Sequence, residues 1–475
     1  MKPCDMKAKQ LIELGIPKGA LKEAYALLRA MKSRKPNMKE GDIRLALYML
    51  QDHLETRDQE VSGIYNIQEA HVLADAMLAE KKNVQDQPLK NAVPLNIWGE
   101  ENIELDAIAQ LHNACKLPVA YKSALMPDGH YGGCGLPIGG VLATNAAVIP
   151  YAVGMDIACR MRITICDLDV KTFEGHRQKY VNAIKEHTRF GMDAKFDKHN
   201  RKDHAVMDSP IWDEISFAKH LKDKAWEQLG SSGGGNHFVE WGFLDVPASN
   251  NMHLTEGTYV ALMSHSGSRG AGAQIARHYS NIAMDSHPRL PKELKHLAWL
   301  DMSSEAGKEY WTLMNLMGSY AAANHDLIHK AIMKHMSTTH HHIVENHHNF
   351  AWKEIIDGEM RIVHRKGATP AHKGVQAVIP GTMTTKSYIV QGLGNPDSLH
   401  SSSHGAGRLM SRSKAKEKFT GSDLNKQAKK AGIELIGGGI DEISGAYKDI
   451  DDVMAAQSDL VHIEATFTPK IVRMA

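Results

Sequence analysis

The sequence predicts an α+β protein in which a small helical segment precedes a larger body of mixed strands and helices. The helical segment is indicated by residues 1–82, where apolar residues recur at three- and four-residue spacings, as in ALKEAYALLRAMK from Ala20 and IRLALYMLQDHLE from Ile43. The polar stretch 83–94, NVQDQPLKNAVP, carries two prolines and is typical of a linker or turn. We therefore expect a helical segment over 1–82 and a linker over 83–94.

The body over 95–475 is expected to be one domain of the α+β class. Short β-rich runs alternate with glycine clusters, which is typical of mixed sheets rather than of a regular βαβ repeat. Two amphipathic stretches, roughly 271–284 and 305–336, are expected to form helices. The β-rich runs are VLATNAAVIP (141–150), MRITICDLDV (161–170), TYVALMSH (258–265) and SYIVQGLG (387–394).

Composition and charge exclude several classes of protein. Of the 475 residues, 43% are hydrophobic, and no run approaches the ~18 apolar residues that a membrane span needs. The 56 basic and 55 acidic residues give a net charge of +1, so any site for a polyanion must be local. Five cysteines without a CxxC pair, and a start without an apolar signal, predict a reduced, cytoplasmic protein. The 28 histidines point to metal or phosphate chemistry, with solvated side chains as the alternative.

Two short motifs carry side chains that bind metals. In VGMDIACR (153–160), Asp156 and Cys159 lie three residues apart, so a carboxylate and a thiolate can face one point if the backbone turns there. A structural cysteine beside a helix-capping aspartate is the alternative. In VENHHNFAW (344–352), His347 and His348 are adjacent, and on a strand only one of them can face a shared site, with a satisfied surface pair as the alternative.

Two further motifs are typical of anion binding. In LGSSGGGNHFVEWG, small residues let backbone N–H groups approach an anion, with a flexible turn as the alternative. That run is followed by Asn236, His237 and Glu240. In MSHSGSRGAGAQIARHY, His265 and Arg269 come just before a helical stretch, whose N-terminus can hold an anion.

The segment SSSHGAGRLMSRSKAKEKF (401–419) combines a histidine, glycines and a local basic patch. His404 is a potential nucleophile among hydroxyls and glycines, and a nearby guanidinium can clamp a phosphate. The residues after it are Gly405, Ala406, Gly407, Arg408 and, further on, Arg412. The lysines at 414–418 are also compatible with a solvated helix face.

Taken together, these motifs predict metal-assisted phosphoryl or nucleotidyl transfer. They supply a carboxylate, a thiolate, several imidazoles, glycine-rich loops and arginines. The ligand types alone favour Zn²⁺, because cysteine and histidine suit it better than Mn²⁺ or Mg²⁺.

At these same residues the chain resembles the RtcB family of RNA-splicing ligases. The motifs occur in the family's order from about Leu95 to the C-terminus, and the helical first 82 residues are less diagnostic. They are MPDGHYGGCGLPIGG (126–140), VGMDIAC (153–159), GGGNHFVE (233–240), HSGSRG (265–270), HHNF (347–350), HRKGA (364–368), PGTMTTKS (380–387), SHGAGRLMSRSKAK (403–416) and GAYKDID (445–451). The resemblance implies a compact catalytic domain with a central metal pocket.

The resemblance also implies an activity and its cofactors. The expected enzyme joins an RNA 3′-phosphate or 2′,3′-cyclic phosphate end to a 5′-hydroxyl end with GTP and two Mn²⁺ ions, in tRNA splicing or RNA repair. His404 resembles the nucleophile that becomes covalently guanylylated. His348 is chosen over His347 because the family's ligand directly precedes an asparagine, here Asn349.

The remaining roles implied by the resemblance fall into three sets. The Mn²⁺ ligands would be Asp156, Cys159, His237, His265 and His348. The contacts to GTP would be Asn236, Glu240, Thr382, Ser387, His404, Gly405, Ala406, Gly407 and Tyr447. The residues that bind phosphate and RNA would be Arg269, Arg408 and Arg412.

Several positions depart from the family's pattern. Arg160 stands where the family usually has glycine, and is expected to narrow access to the metal site or to bind a phosphate. Thr382 replaces a common serine and keeps the hydroxyl. The family's terminal lysine, which contacts guanine, is missing, and Arg473 is the nearest cation. The histidine-rich tract 335–342 has no family role.

A different enzyme class remains open on the sequence. The alternative is a metal-dependent phosphodiesterase or nucleotidyltransferase that acts on RNA 3′ ends without ligation, and the phosphodiesterase would need the metals but not His404. A non-catalytic RNA-binding relic is a third hypothesis. The natural RNA substrate and the oligomeric state are not set by these motifs.

Overall fold

A computed structural model describes residues 6–36, 38, 40–56, 68–82, 87–191 and 193–475. Their contacts divide the chain into two compact units, one of Met1–Gln87 with Asp285–Arg289 and the other of Pro88–Met284 with Leu290–Ala475. Of the expected linker, residues 83–86 lie outside the described residues, and residues 87–94 form neither helix nor strand.

The first unit is helical in the residues described. Its helices are α1 (Ala8–Glu13), α2 (Leu21–Arg34), α3 (Glu40–Thr56) and α4 (Gln68–Lys82). In α2, Ala24, Leu27, Leu28 and Met31 recur at helical spacing and are all buried. They pack into one apolar core with buried residues of the other helices, such as Leu47. The amphipathic periodicity of the sequence is therefore used to bury one face of each helix.

The second unit mixes helices and strands, so the predicted α+β class is confirmed. Its helices are α5 (Leu105–Ala114), α6 (Pro150–Val153), α7 (Val170–Gly175), α8 (Arg177–His187), α9 (Ile211–Glu214), α10 (Ser216–Lys219), α11 (Lys222–Gln228), α12 (Arg269–Ser286), α13 (Glu305–Met336), α14 (Arg412–Lys418), α15 (Gly421–Lys430) and α16 (Ile450–Ala455). Its strands are β1 (Leu95–Ile97), β2 (Ala120–His130), β3 (Ile138–Thr144), β4 (Ala147–Val148), β5 (Arg160–Cys166), β6 (Phe238–Val246), β7 (Gly257–Ser266), β8 (Leu300–Asp301), β9 (His340–His347), β10 (Asn349–Ile356), β11 (Glu359–Lys366), β12 (Ala368–Pro370), β13 (Gln376–Ile379), β14 (Ser387–Gly392), β15 (Ser401–Ser403), β16 (Glu434–Ile436) and β17 (Val461–Met474).

The largest sheet is a nearly closed barrel. Its strand order is β13–β14–β17–β6–β7–β5–β9, with β16 beside β17. The two edge strands meet through the Asn346 side chain of β9, which accepts from the Val378 N–H of β13 at 2.8 Å and donates to the Val378 carbonyl at 3.2 Å. This amide takes the place of a ladder hydrogen bond. Buried side chains such as Ile163, Met263 and Phe467 fill an apolar core on these strands.

The other strands form smaller sheets. A five-stranded sheet has the order β1–β2–β3–β11–β10, and two pairs, β12–β15 and β4–β8, stand apart. The β-rich runs at 141–150 and 161–170 end as strands earlier than the sequence indicated. Pro150 begins α6, where its missing N–H costs nothing, and the Asp169 side chain caps α7 by accepting from the Thr172 N–H at 2.8 Å.

The long helix predicted over 305–336 is confirmed as α13. The Ser304 hydroxyl caps its start by accepting from the Gly307 N–H at 3.0 Å, and Ser337 ends it in the left-handed conformation with φ of 54°. Leu313 and Tyr320 of α13 pack in the same core as Tyr279 of α12. Among the described residues, no helix is long and apolar enough to cross a membrane.

We expect Leu313→Ala to lower the free energy of unfolding of the second unit by about 2–5 kcal/mol, because the truncation leaves a cavity in a closely packed core. Leu313 is fully buried. Leu105→Ala is the matched control, because Leu105 is 80% exposed and its truncation opens no cavity. Urea denaturation of both variants measures the difference, and equal losses would contradict this account of the core.

Candidate active site

Four adjacent strands of the barrel-like sheet end at one edge. In the order β6–β7–β5–β9, neighbouring strands run antiparallel, so the starts of β5 and β6 and the ends of β7 and β9 lie together. Cys159 precedes β5 and His237 precedes β6. His265 lies at the end of β7 and His348 follows β9. The pairing of the strands therefore gathers four of the five predicted metal ligands.

The predicted ligand side chains converge on one point. Cys159 Sγ lies 3.0 Å from His265 Nε2 and 3.4 Å from His237 Nε2. The His265 and His348 Nε2 atoms are 3.3 Å apart. The His237 Nε2 atom is 3.0 Å from Asp156 Oδ2. The donor atoms form two groups, and the atoms of each group lie within 4.8 Å of one another. Cys159 belongs to both groups. Its partners are His265 and His348 in one group and Asp156 and His237 in the other.

Main-chain carbonyls fix which nitrogen of two imidazoles faces the cluster. His237 Nδ1 lies 2.8 Å from the Ser232 carbonyl oxygen, and His265 Nδ1 lies 3.1 Å from that of Asn236. A carbonyl only accepts, so each Nδ1 carries a proton and donates it, and Nε2 is the nitrogen that faces the cluster. Hydrogen bonds of this kind orient histidine ligands in metal sites.

Burial and neighbouring charges set the protonation of the cluster. Burial lowers the pKa of His265 to about 3 and raises the pKa of the Cys159 thiol well above its usual range. Burial also opposes ionisation of Asp156, but the hydrogen bond and charge of His237 lower the pKa of Asp156 to about 2. The cluster therefore offers neutral imidazoles at His265 and His348, an ionised carboxylate and a thiol that loses its proton on binding a metal. This donor set fits a divalent cation.

The glycine-rich loop before β6 leaves room for a guanidinium. Gly233 has φ of 105°, and a Cβ there would lie 1.8 Å from Arg269 Nη1 and 2.6 Å from His237 Nδ1, so only glycine fits. Arg269 is buried at the start of α12. It donates through Nε to Ser231 Oγ at 3.2 Å and through Nη2 to the Gly191 carbonyl at 3.2 Å. The glycine run thus packs against Arg269 beside a predicted metal ligand.

A buried carboxylate holds the ring of His404, which follows β15. His404 Nδ1 lies 2.6 Å from Asp128 Oδ2, and the His404 main-chain N–H donates to the same oxygen at 3.1 Å. Burial raises the pKa of Asp128, but the hydrogen bond and charge of His404 and the charge of Lys448 hold that pKa below its usual range. Because an ionised Asp128 only accepts, His404 Nδ1 is the donor, and Nε2 is the nitrogen that carries the lone pair when the ring is neutral. The His404 and His348 rings lie 4.8 Å apart between centroids.

Asp128 was not assigned a role by the sequence. It lies in MPDGHYGGCGLPIGG, one of the motifs that carried the resemblance, yet 276 residues separate it from His404. An acidic residue beside glycine and histidine was the only signal. Lys448 supports the same part of β2 by donating through Nζ to the carbonyls of Pro127 at 2.9 Å and Gly129 at 2.7 Å.

An open cleft joins His404 to the cluster of predicted metal ligands. His265 and His348 line it together with His404. Every residue predicted to contact GTP lines the same cleft: Asn236, Glu240, Thr382, Ser387, Gly405, Ala406, Gly407 and Tyr447. Of the predicted phosphate-binding residues, Arg408 and Arg412 line it and Arg269 does not.

The two arginines of the cleft are held by carboxylates and a tyrosine. Arg408 Nη1 donates to the Tyr447 hydroxyl at 2.9 Å, and Nη2 donates to the Asp441 carbonyl at 2.6 Å. Arg412 Nη1 donates to Asp441 Oδ2 at 2.9 Å and also pairs with Glu442. The Arg412 side chain remains 46% exposed, against 13% for Arg408. Arg408 therefore stabilises the wall of the cleft, and Arg412 has the more accessible guanidinium.

Two departures from the family's pattern lie away from the cleft. Arg160 pairs with Glu345 and lies 3.1 Å, through Nη2, from His347 Nδ1, so its guanidinium is engaged by β9 rather than aimed at the metal cluster. This arrangement also occupies His347 and leaves His348 to the cluster. Arg473 donates through Nη1 to the main-chain carbonyl of Lys185 at 2.9 Å, at the end of α8. At the C-terminus, Met474 rather than a cation lines the cleft.

A buried ion pair supports the strand that leads to the predicted nucleophile. Arg365 of β11 donates to the two carboxylate oxygens of Glu354 at 2.7 and 3.0 Å. Its Nε donates to Ser401 Oγ at 2.7 Å, and its Nη2 donates to the Leu399 carbonyl at 2.9 Å. Leu399 and His400 have left-handed φ values of 53° and 50°. The guanidinium therefore fixes a strained turn just before β15.

The fold and the site define an α+β protein with a buried cluster of imidazole, thiol and carboxylate side chains. This cluster borders a cleft that also contains a histidine held by a buried carboxylate. The chain belongs to the RtcB family: the family model, described as tRNA-splicing ligase RtcB, matches residues 110–474. The resemblance seen in the sequence is thereby confirmed.

Three curated relatives illustrate the similarity. The chain is 35% identical over 399 residues to RNA-splicing ligase RtcB1 of Escherichia coli strain ATCC 25922, covering 78% of this chain and 94% of the relative. It is 34% identical over 401 residues to RNA-splicing ligase RtcB of Escherichia coli K12, with the same coverage of 78% and 94%. It is 30% identical over 458 residues to tRNA-splicing ligase RtcB of Methanococcus maripaludis, covering 80% and 93%.

The buried pair of Arg365 and Glu354 predicts a pH dependence of stability. Burial raises the pKa of Glu354, but the charge of Arg365 and the hydrogen bond with His372 lower it from 4.5 to about 2. A carboxyl group whose pKa is lower in the folded state than in the unfolded state stabilises the fold. This stability is fully present above the unfolded-state pKa and is lost as the pH falls towards the folded-state pKa. As the pH falls from about 4.5 to about 2, we expect the free energy of unfolding of the wild type to decrease by about 3 kcal/mol more than that of Glu354→Gln.

Urea denaturation at a series of pH values measures this loss. The matched control is Glu359→Gln, because Glu359 lies on the same hairpin with a side chain that is 69% exposed. The stability of the Glu359→Gln control should decrease with pH as much as that of the wild type. An equal decrease in Glu354→Gln would show that the ion pair does not contribute as described.

Proposed function

We propose that this protein is an RNA ligase that joins 3′-phosphate or 2′,3′-cyclic phosphate ends to 5′-hydroxyl ends, in tRNA splicing or RNA repair. We propose further that it uses GTP and Mn²⁺ and forms a covalent histidine–GMP intermediate at His404. The observation that carries the proposal is the position of His404, in a cleft lined by two histidines of the metal-binding cluster and with Nδ1 bound to a buried carboxylate. The similarity to RNA-splicing and tRNA-splicing ligases supports the ligase assignment.

Asp128 prepares His404 for attack. It accepts a hydrogen bond from Nδ1–H, so that in the neutral ring the Nε2 lone pair is available to bond to the α-phosphorus of GTP while the bond to the pyrophosphate leaving group breaks. The imidazole becomes positively charged as this bond forms, and the neighbouring carboxylate stabilises that charge. Asp128 is therefore a positioning residue for His404.

The cluster residues would hold the cations. The two groups that share Cys159 support two ions, one held by Cys159, His265 and His348 and the other by Cys159, Asp156 and His237. When bound, divalent ions would neutralise the triphosphate and the departing pyrophosphate. Donor chemistry alone favours Zn²⁺, and Mn²⁺ is proposed on the strength of the family resemblance.

Glu240 is the residue that we propose to bind the base. It is 3% exposed and lines the cleft, and its carboxyl has no hydrogen-bond or ion-pair partner in the part of the chain that the structure describes. Guanine offers two adjacent N–H donors that a carboxylate can accept together. Burial raises the pKa of Glu240 well above its usual range, so a bound donor pair would favour the ionised form.

The covalent intermediate then serves ligation. His404 passes GMP to an oxygen of the RNA 3′-phosphate, which regenerates the imidazole and gives that phosphorus a good leaving group. The 5′-hydroxyl loses its proton, bonds to the same phosphorus and displaces GMP. A cyclic end is first hydrolysed to the 3′-phosphate. Arg269, Arg408 and Arg412 are proposed to bind phosphates, and Arg412 has the most exposed side chain of the three.

Covalent labelling tests the nucleophile. Wild-type protein incubated with Mn²⁺ and GTP carrying a radiolabelled α-phosphate should retain label after denaturing electrophoresis, and His404→Ala should retain none because the N–P bond cannot form. His372→Ala is the control, because His372 is a partly exposed histidine that does not line the cleft.

RNA with a cyclic phosphate end separates the ligase from the alternative enzyme. His404→Ala should still open the cyclic end and should join nothing. A wild type that opens the end but takes up no label and joins no RNA would establish a metal-dependent phosphodiesterase instead.

Asp128→Asn should slow labelling on the order of 100-fold or more, because an amide can present its N–H to His404 and reverse the imidazole tautomer. A positioning role predicts a loss of rate with an unchanged KM for GTP. Labelling rates over a range of GTP concentrations and pH, together with the melting temperature, measure this. A rise in KM or a loss of folding, with the rate at saturation preserved, would contradict it.

A further inference from the structure

A second set of metal-binding side chains lies outside the candidate active site. Among the described residues, three groups of histidine, cysteine or acidic side chains have donor atoms within 4.8 Å of one another. Two of these make up the cluster beside His404. The third consists of Glu186, His187 and His335. His335 belongs to the histidine-rich tract to which neither the resemblance nor the proposed ligation gives a role.

The distances within this third group are those expected between ligands of one ion. His187 Nε2 lies 3.0 Å from His335 Nδ1, which lies 3.5 Å from Glu186 Oε2. Two nitrogens at metal distances of about 2.0–2.1 Å and a tetrahedral angle are about 3.3 Å apart. The imidazoles of His265 and His348 in the active-site cluster show the same separation, 3.3 Å between Nε2 atoms.

The two elements that carry the group both end at this point. His187 is the last residue of α8, and His335 lies in the last turn of α13. The C-terminus of a helix carries partial negative charge from the helix dipole, which favours a cation. Arg473 donates to two carbonyls of the last turn of α8, and the Glu186 carboxylate supplies a negative charge beside His335.

The donor set also indicates the kind of ion. Two imidazoles and one carboxylate suit Zn²⁺ and similar borderline cations, whereas Mg²⁺ and Ca²⁺ prefer oxygen ligands alone. The side chains of His335 and Glu186 are 26% and 58% exposed, so an ion can enter from solvent and water can complete its shell.

We propose that Glu186, His187 and His335 form a second metal site, for Zn²⁺ or a similar borderline divalent cation, where the C-termini of α8 and α13 meet. The ion would join the two helices. The residues after α8 hydrogen-bond to the loop before β6, through Ser232 N–H to the Arg189 carbonyl and Gly191 N–H to the Gly233 carbonyl, both at 2.8 Å. The ion would therefore stabilise the segment after α8 that holds the loop before β6. The site does not depend on the proposed ligase activity.

Co²⁺ is the probe, because it takes the geometry of Zn²⁺ and reports its ligands in the visible spectrum. Full-length protein, first depleted of metal, is titrated with Co²⁺ beside the double variant His187→Gln/His335→Gln. The wild type should bind one more equivalent than the variant. The difference spectrum should show tetrahedral cobalt bands without a thiolate-to-cobalt band, because Cys159 belongs to the other cluster.

Thermal unfolding provides a second readout. Added Zn²⁺ should raise the melting temperature of the wild type more than that of the double variant, since binding to the folded state alone adds stability. The control is His340→Gln/His341→Gln, which removes two exposed histidines of the same tract and should match the wild type. Covalent labelling with GTP should proceed in all three proteins, which separates this test from that of the ligase.

Two results would overturn the second site. One is equal Co²⁺ stoichiometry in the wild type and the His187→Gln/His335→Gln variant. The other is an equal loss in the His340→Gln/His341→Gln control, which would show unspecific binding along the tract. If the double variant does not fold, Glu186→Gln replaces it, because this largely exposed carboxylate can be neutralised without opening a cavity. That variant should bind Co²⁺ at least 10-fold more weakly, and unchanged affinity would exclude the site.

Discussion

The antiparallel pairing of β6, β7, β5 and β9 is the constraint on which the site depends. It brings the starts of two strands and the ends of two others to one edge, with a predicted metal ligand at each. Side chains alternate between the faces of a strand, so a slip of one residue in the pairing of β5 with β7 would turn His265 away from Cys159. The apolar core of the barrel-like sheet holds that register, because any slip would turn buried apolar side chains towards solvent.

A different part of the fold supplies the predicted nucleophile. His404 follows the short pair β12–β15, Asp128 lies in β2, and Arg365 comes from β11. Charge-assisted hydrogen bonds join these elements: Asp128 binds the imidazole, and Arg365 binds the turn that precedes it. The cleft thus lies where two sheets meet, one carrying the cluster of predicted metal ligands and the other holding the histidine. Each partner is buried, so removing one leaves the other unpaired in a medium of low polarity.

Local patterns predicted the elements well and their ends less well. The 305–336 periodicity predicted α13 to the residue, because a long amphipathic helix repeats its signal over many turns. The runs at 141–150 and 161–170 were expected to stay extended, but Pro150 and the Asp169 cap start helices within them. The expectation that Arg160 would face the metal cluster overlooked Glu345, which lies on a neighbouring strand and binds the guanidinium.

The sequence by itself determined the donor types, the helical and strand periodicities and the family. Those depend on residue identity and on neighbours within a few positions. Only the tertiary structure decided which histidines share one cluster, that His404 donates to Asp128 from 276 residues away, and that His187 meets His335 across two helix ends. These contacts depend on strand register and helix packing, which are set by the burial of the whole core. The local sequence around each residue therefore does not indicate its distant partner.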